Sequence, residues 1–150
     1  MYQIIEFNKK IFTFFGIGNL PIPGTIGSLV TVIIYYLFYS YLNVLFFACF
    51  VFVVFFYSVY FLDKTLKKSF TSSDPKEIVI DEFIGQSIPL IICENNFFLI
   101  ILSFLLFRLF DITKPWPANY FDQKVKNSIG LIMDDVIAGI YTFLIIYLCI

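Results

Sequence analysis

Two adjacent pairs of acids, Asp81-Glu82 and Asp134-Asp135, interrupt apolar stretches of this chain. A further acid, Asp111, follows the single arginine, Arg108, by three residues. Hydrophobic residues make up 60% of the sequence, so each of these charges stands against an apolar background. A carboxylate in such surroundings is costly unless a cation neutralises it. The chain contains no histidine and few bases, so a metal ion is the natural partner. Oxygen-only ligands select a hard cation, Mg2+ first, with Mn2+ or Ca2+ as alternatives. One or two such ions could polarise a phosphoryl group and deliver a hydroxide.

Other residues extend this constellation. Arg108, Asp111 and Lys114 recur at intervals of three and make a polar stripe at the end of an apolar helix. The stripe reads either as an intrahelical ion pair with Lys114 complementing the helix C-terminus, or as a site in which Arg108 and Lys114 hold phosphate oxygens and Asp111 the metal. Pro23-Gly24-Thr25-Ile26-Gly27-Ser28 precedes an apolar helix. It is either a turn capped by Thr25 or an anion-binding helix start with two hydroxyls, Thr25 and Ser28. Glu77 and Asp81, four apart, would share a helix face and repel each other. Glu77 also fits a capping box with Asp74, which makes it the weakest candidate.

The residue inventory excludes several classes. Without histidine there is no Ser-His-Asp triad, no HExxH zinc site and no phosphohistidine. No cysteine is followed six residues later by arginine, and Asp111-Ile112-Thr113 does not match an aspartyl-phosphate motif. Cys49, Cys93 and Cys149 lie in apolar runs without metal-ligand spacing and read as core or lipid-facing residues. A net charge of −1 gives no reason to expect a nucleic-acid partner. Nothing resembles a cleavable signal peptide.

The elements that must position these groups are helical. No run alternates with period two, and at 150 residues one domain, 1–150, is expected. The expected fold is all-α, a bundle of about six helices embedded in or associated with a membrane. Met1 to Phe15 reads as a surface amphipathic helix, and Gly16 to Gly24 as a loop. Residues 25–62 carry no charge. As one helix they would be ~57 Å long, about twice the hydrocarbon thickness, so a break near Ser40-Tyr41-Leu42-Asn43 divides them. A helix capped by Asp74 with Pro75 at its first position runs to about Ile92. Further helices cover 97–113 and, as a short amphipathic piece, 118–127. Ser128 to Gly130 turns the chain, and Asp134-Asp135 opens a last helix. With the lysines on one side, two hairpins bring Thr25, the acids, Arg108 and Lys114 to one membrane surface. Several apolar segments fall short of the ~20 residues of a full span, so re-entrant segments or a shallowly embedded bundle remain open.

Five blocks occur in a recognisable order: Pro-Gly-Thr-Ile-Gly-Ser-Leu (23–29), Ile-Val-Ile-Asp-Glu-Phe-Ile-Gly (78–85), Phe-Arg-Leu-Phe-Asp-Ile-Thr-Lys-Pro-Trp-Pro (107–117), Phe-Asp-Gln-Lys-Val (121–125) and Gly-Leu-Ile-Met-Asp-Asp-Val-Ile-Ala-Gly (130–139). Together they resemble the phosphatidylglycerophosphatase A family over nearly the whole chain. The resemblance implies a Mg2+-dependent lipid phosphatase of the bacterial inner membrane, converting phosphatidylglycerophosphate to phosphatidylglycerol and phosphate at the cytoplasmic face. Its motif residues fall on Thr25, Ser28, Asp81, Glu82, Arg108, Asp111, Lys114, Asp122, Asp134 and Asp135.

The expected division of labour follows. Asp81, Glu82, Asp134 and Asp135, with Asp111, hold Mg2+. Arg108, Lys114, Thr25 and Ser28 bind the phosphomonoester, which a metal-activated water attacks. Membrane lipids keep the acyl chains, and Lys67, Lys68, Lys124 and Lys126 attract anionic headgroups. The competing readings are a membrane scaffold or ion-conducting subunit with acids in a polar path, and a phosphatase for a different lipid phosphate.

Overall fold

The computed structural model describes residues 2–70 and 75–150. Among these residues every regular element is helical: α1 (Tyr2–Phe12), a 3-10 segment (Phe14–Asn19), α2 (Pro23–Tyr41), α3 (Val44–Ser69), α4 (Ile80–Leu90), α5 (Phe97–Thr113), α6 (Ala118–Lys124) and α7 (Ser128–Cys149). The all-α expectation holds, with seven α-helices and a 3-10 segment in place of about six helices.

Local chemistry explains most boundaries. Asn43 breaks the long apolar stretch and caps α3 by accepting from the Phe46 N–H at 3.0 Å. Asn96 caps α5 by accepting from Phe98 and Leu99. Lys114, in the left-handed region at φ 43°, ends α5 ahead of Pro115. The first helix stops at Phe12, earlier than expected, because Phe14 and Phe15 take positive φ and turn the chain.

Two boundaries differ instructively from expectation. The helix expected from Pro75 begins only at Ile80, and the proposed Asp74 cap lies outside the described residues. Ile78, Val79 and Ile80 are buried, and the Val79 N–H donates to the Phe12 carbonyl of α1 at 3.0 Å. Burial of three branched side chains and this tertiary hydrogen bond outweigh the weaker capping signal. Glu77 is therefore exposed in a turn, not on a helix face shared with Asp81. At the other boundary, α7 starts at Ser128, where Asn127 caps the Gly130 N–H and Asp63 of α3 accepts from the Ser128 N–H at 2.8 Å. Asp134-Asp135 thus occupies the second turn of that helix, not its opening.

The helix α7 is the centre of the bundle and packs against α4, α5 and α6. Its closest approach is to α4, and two glycines allow it. A Cβ on Gly139 would collide with the Gly85 carbonyl oxygen, and one on Gly85 would lie 2.5 Å from the Asp135 carbonyl oxygen and 2.7 Å from the Phe107 ring. Gly85 lies one turn beyond Asp81, and Gly139 one turn beyond Asp135. The crossing therefore sets the acids of both helices side by side one turn above it.

Helices α2, α3 and α7 are long and apolar enough to cross a membrane. At 22 residues, α7 exceeds the short final segment expected because its helix includes residues 128–135. The 11-residue α4 is far too short to cross. The α4–α5 turn stops level with the interior of α2, where the Tyr35 hydroxyl donates to the Glu94 carbonyl at 2.7 Å.

Replacing Gly139 with alanine should lower stability by about 1–3 kcal/mol through overpacking. The neighbouring Ile140→Ala, at an exposed position, should change it by less than about 0.5 kcal/mol. Thermal unfolding of the purified protein in neutral detergent measures both.

Candidate active site

At one end of the bundle α2, α4 and α7 begin and α5 and α6 finish, around a cavity of about 300 Å³. Helix direction sorts most of the charges. Asp81 and Glu82 occupy the first turn of α4, where the positive end of the dipole favours acids. Arg108 lies near the end of α5 and Lys114 just after it, where cations are favoured. Six carboxylates (Asp81, Glu82, Asp111, Asp122, Asp134, Asp135) and four cations (Lys76, Arg108, Lys114, Lys126) line the cavity, a formal charge of −2.

Asp81, Glu82 and Asp135 each offer one carboxylate oxygen to a group lying within 4.8 Å of one another. Asp135 is buried, and the other two are partly buried. Burial, then the charge of Glu82 and of Asp134, push the Asp81 carboxyl well above its usual range. Burial also raises Glu82, and Asp111 adds to this, while contact with Asp81 and the charge of Arg108 act in the opposite direction. Within the protein alone this cluster is repulsive and desolvated. Glu82 Oε2 is buried without a hydrogen-bond partner among the described residues.

The donor set fits a hard divalent ion. Oxygens on opposite sides of Mg2+ are about 4.2 Å apart, at 2.0–2.1 Å per bond, and Ca2+ tolerates about 5 Å. A small closing movement of the three carboxylates would suit Mg2+.

Two ion-pair systems flank the trio. Arg108 Nη1 donates to Asp111 Oδ2 at 2.5 Å and to the buried Ser28 hydroxyl at 3.4 Å. Ser28 in turn donates to the Gly24 carbonyl at 2.9 Å. Lys114 Nζ donates to Asp122 Oδ1 and Asp134 Oδ2, both at 2.5 Å. Burial alone would lower the Lys114 ammonium, but its two carboxylates outweigh this and raise it above its ordinary value. Lys114 is therefore a fixed positive charge. Asp134 Oδ1 and Arg108 Nε are buried and lack partners among the described residues, and both residues line the cavity.

The structure thus brings together Asp81, Glu82, Arg108, Asp111, Lys114, Asp134 and Asp135 around one cavity. Of the five acids expected on the metal, Asp134 turns one oxygen to Lys114 and Asp111 pairs with Arg108, and both lie outside the tight trio. Ser28 braces Arg108 from behind. Thr25 does not line the cavity, and it is the third residue of α2 instead of its cap, a position taken by Ile22 in the left-handed region. Sequence reasoning left Asp122 without a role, and it proves to be a partner of Lys114. Gly24 belongs to the helix start that the sequence singled out, and a Cβ there would lie 2.5 Å from Glu82 Oε1 and 3.1 Å from the Arg108 guanidinium. The glycine lets the start of α2 approach both groups.

The family model for phosphatidylglycerophosphatase A matches residues 10–150. The chain is 38% identical over 135 residues to a Haemophilus influenzae protein named phosphatidylglycerophosphatase A, covering 89% of this chain and 82% of that one. It is 36% identical over 135 residues to the Escherichia coli K12 protein of the same name, covering 89% and 77%. A Bacteroides thetaiotaomicron protein named putative phosphatidylinositol-3-phosphatase is also 36% identical, over 140 residues covering 89% of this chain and 87% of that one. No solved structure matches. A family-model match over residues 10–150, together with 36–38% identity over 89% of the chain, places the chain in the phosphatidylglycerophosphatase A family.

Proposed function

We propose that this protein hydrolyses the terminal phosphomonoester of phosphatidylglycerophosphate to give phosphatidylglycerol and phosphate, with Mg2+ as cofactor, at the cytoplasmic face of the bacterial inner membrane. The observation that carries this reading is one cavity holding a tight carboxylate trio beside fixed cations, at one end of a bundle with three helices apolar enough to span a membrane. A formal charge of −2 would repel a phosphate dianion. One divalent ion on Asp81, Glu82 and Asp135 neutralises the cavity, and a second would make it attractive.

When bound, Mg2+ supplies Lewis-acid polarisation of the phosphoryl oxygens and a water of lowered pKa. The chain's own residues do the rest. Arg108, braced by Asp111 and Ser28, has an unused Nε–H for a phosphoryl oxygen. Lys114, clamped between Asp122 and Asp134, offsets charge as it shifts to the departing glycerol oxygen. Asp134 Oδ1, without another partner, takes the proton of the attacking water. A P–O bond to water oxygen forms as the P–O bond to glycerol breaks, and the proton that Asp134 removed from water passes to the glycerol oxygen, so the alcohol leaves neutral and the Asp134 carboxylate is restored.

Lys9, Lys64, Lys67 and Lys68 lie towards the same end. Lys9 stacks over the Phe70 ring, and the last two occupy the final turn of α3. This distribution supports a cytoplasmic orientation. A phosphoinositide as substrate is the second reading, favoured by the name of the Bacteroides relative.

Purified protein in neutral detergent should release phosphate from phosphatidylglycerophosphate with Mg2+ and stop in EDTA. Undiminished release in chelator would refute the metal reading, and faster release from phosphatidylinositol 3-phosphate would favour the second substrate. Asp81→Asn removes one of three mutually repelling carboxylates. It should raise the thermal midpoint of the metal-free protein, abolish the further rise caused by Mg2+, and abolish turnover. A Mg2+ shift equal to that of the parent would remove Asp81 from the site. Gly24→Ala should displace Glu82 and Arg108 and reduce kcat/KM about tenfold or more, with a thermal midpoint close to that of the parent.

A further inference from the structure

We infer that Lys76 and Lys126 form an outer subsite for a second anion on the substrate, a phosphodiester one glycerol unit away from the phosphomonoester. The inference rests on the proposed substrate class and says which part of that molecule sets specificity.

The cavity has two tiers of cations. Arg108 and Lys114 are both partly covered and each is held by carboxylates at 2.5 Å. They belong with the reacting phosphoryl group. Lys76 and Lys126 line the same cavity but are exposed, so they lie at its mouth. They come from different parts of the chain, Lys76 from the turn before α4 and Lys126 from the link between α6 and α7. Among the described residues neither forms an ion pair with a carboxylate.

The placement of Lys126 is built. Its ammonium donates to the Asp122 carbonyl at 2.7 Å, while the Asp122 side chain holds Lys114. One residue therefore links an inner and an outer cation. The carbonyl takes one of the three donors of this ammonium and leaves the others for an anion. Lys76 follows Pro75, and the buried Ile78 and Val79 anchor the segment just after it.

A lipid carrying only a phosphomonoester next to its diacylglycerol has nothing to place at this rim. One whose monoester is joined through glycerol to a diester presents a second negative charge towards the bilayer. The same lysines could instead attract any anionic surface, so the test must separate a subsite from general attraction.

The experiment uses the full-length protein in neutral detergent micelles, with no anionic lipid other than substrate. It compares the parent with a Lys76→Gln/Lys126→Gln double variant. Two inhibitors are titrated: short-chain dihexanoyl phosphatidylglycerol, which has the diester without the monoester, and inorganic phosphate, which has no diester. For the variant, KM for phosphatidylglycerophosphate should rise about tenfold, and inhibition by dihexanoyl phosphatidylglycerol should weaken by a similar factor. Inhibition by inorganic phosphate should keep its parental value, and Lys76→Arg/Lys126→Arg should restore KM. Equal weakening of both inhibitors would show general attraction and overturn the subsite, as would an unchanged KM. A parent protein that releases no phosphate from phosphatidylglycerophosphate would instead overturn the substrate reading itself.

Discussion

The close crossing of α4 and α7 at Gly85 and Gly139 governs the rest of the site. Helix axes usually lie 8–10 Å apart, and bulky residues here would hold these two further apart than their backbones now stand. The missing side chains bring Asp81 and Glu82 against Asp135. Packing alone gives no reason to crowd like charges, because three desolvated carboxylates repel. The dispersion and burial gained lower in the crossing must hold the cluster together until a cation compensates it. The proposed ion would thereby be coupled to the fold: whatever neutralises the acids would also stabilise the junction of these two closely packed helices.

Helix polarity extends this logic to the flanking groups. The acids of α4 sit at a helix beginning, and Arg108 and Lys114 at a helix end, so backbone dipoles favour both sets. Asp111 is the exception, an acid near the end of α5, and it is the one bound directly by Arg108. Lys114 extends the pattern differently. Its left-handed backbone ends α5 and directs the chain into α6, which carries the Asp122 that clamps its own side chain. Chain reversal and charge placement are the work of the same residue.

Much of this was legible in the sequence because the relevant signals are local. Acids in apolar runs, polar breaks at 40–43 and 94–96 and the Pro115 stop all act within a few residues, and they located α3, α5 and the charged groups that gather at the cavity. The misplaced features depend on contacts across the bundle. The start of α4 is delayed by a hydrogen bond to α1 and by burial of Ile78 and Val79, neither visible in a capping motif. The start of α7 depends partly on Asp63, which lies 65 residues away in the chain. A signal for the crossing was present, since each acid pair has a glycine four residues after one of its members. It has meaning only once the two helices are known to touch. The separation of Asp134, turned towards Lys114, from the carboxylate trio likewise needs three dimensions.

The same three dimensions decide between a catalytic cavity and a path for ions. A path needs polar groups repeated through the apolar layer. Directly beyond the trio, α4 presents Phe83 and Ile84, α5 presents Phe107, and α7 presents Ile137 and Ala138, all buried. The Gln86–Ser103 hydrogen bond of 3.0 Å lies farther along, uncharged and fully enclosed. The cavity is therefore blind, with its charge confined to one end. At that end Ile22 and Trp116 are exposed, and the Trp116 carbonyl is held by the Tyr141 hydroxyl at 2.7 Å. Exposed apolar and indole surface at the level of a charged cavity suits the boundary between headgroups and acyl chains. A lipid can present its phosphate there without leaving the bilayer, and a blind, charged recess beside that boundary is suited to chemistry on the headgroup.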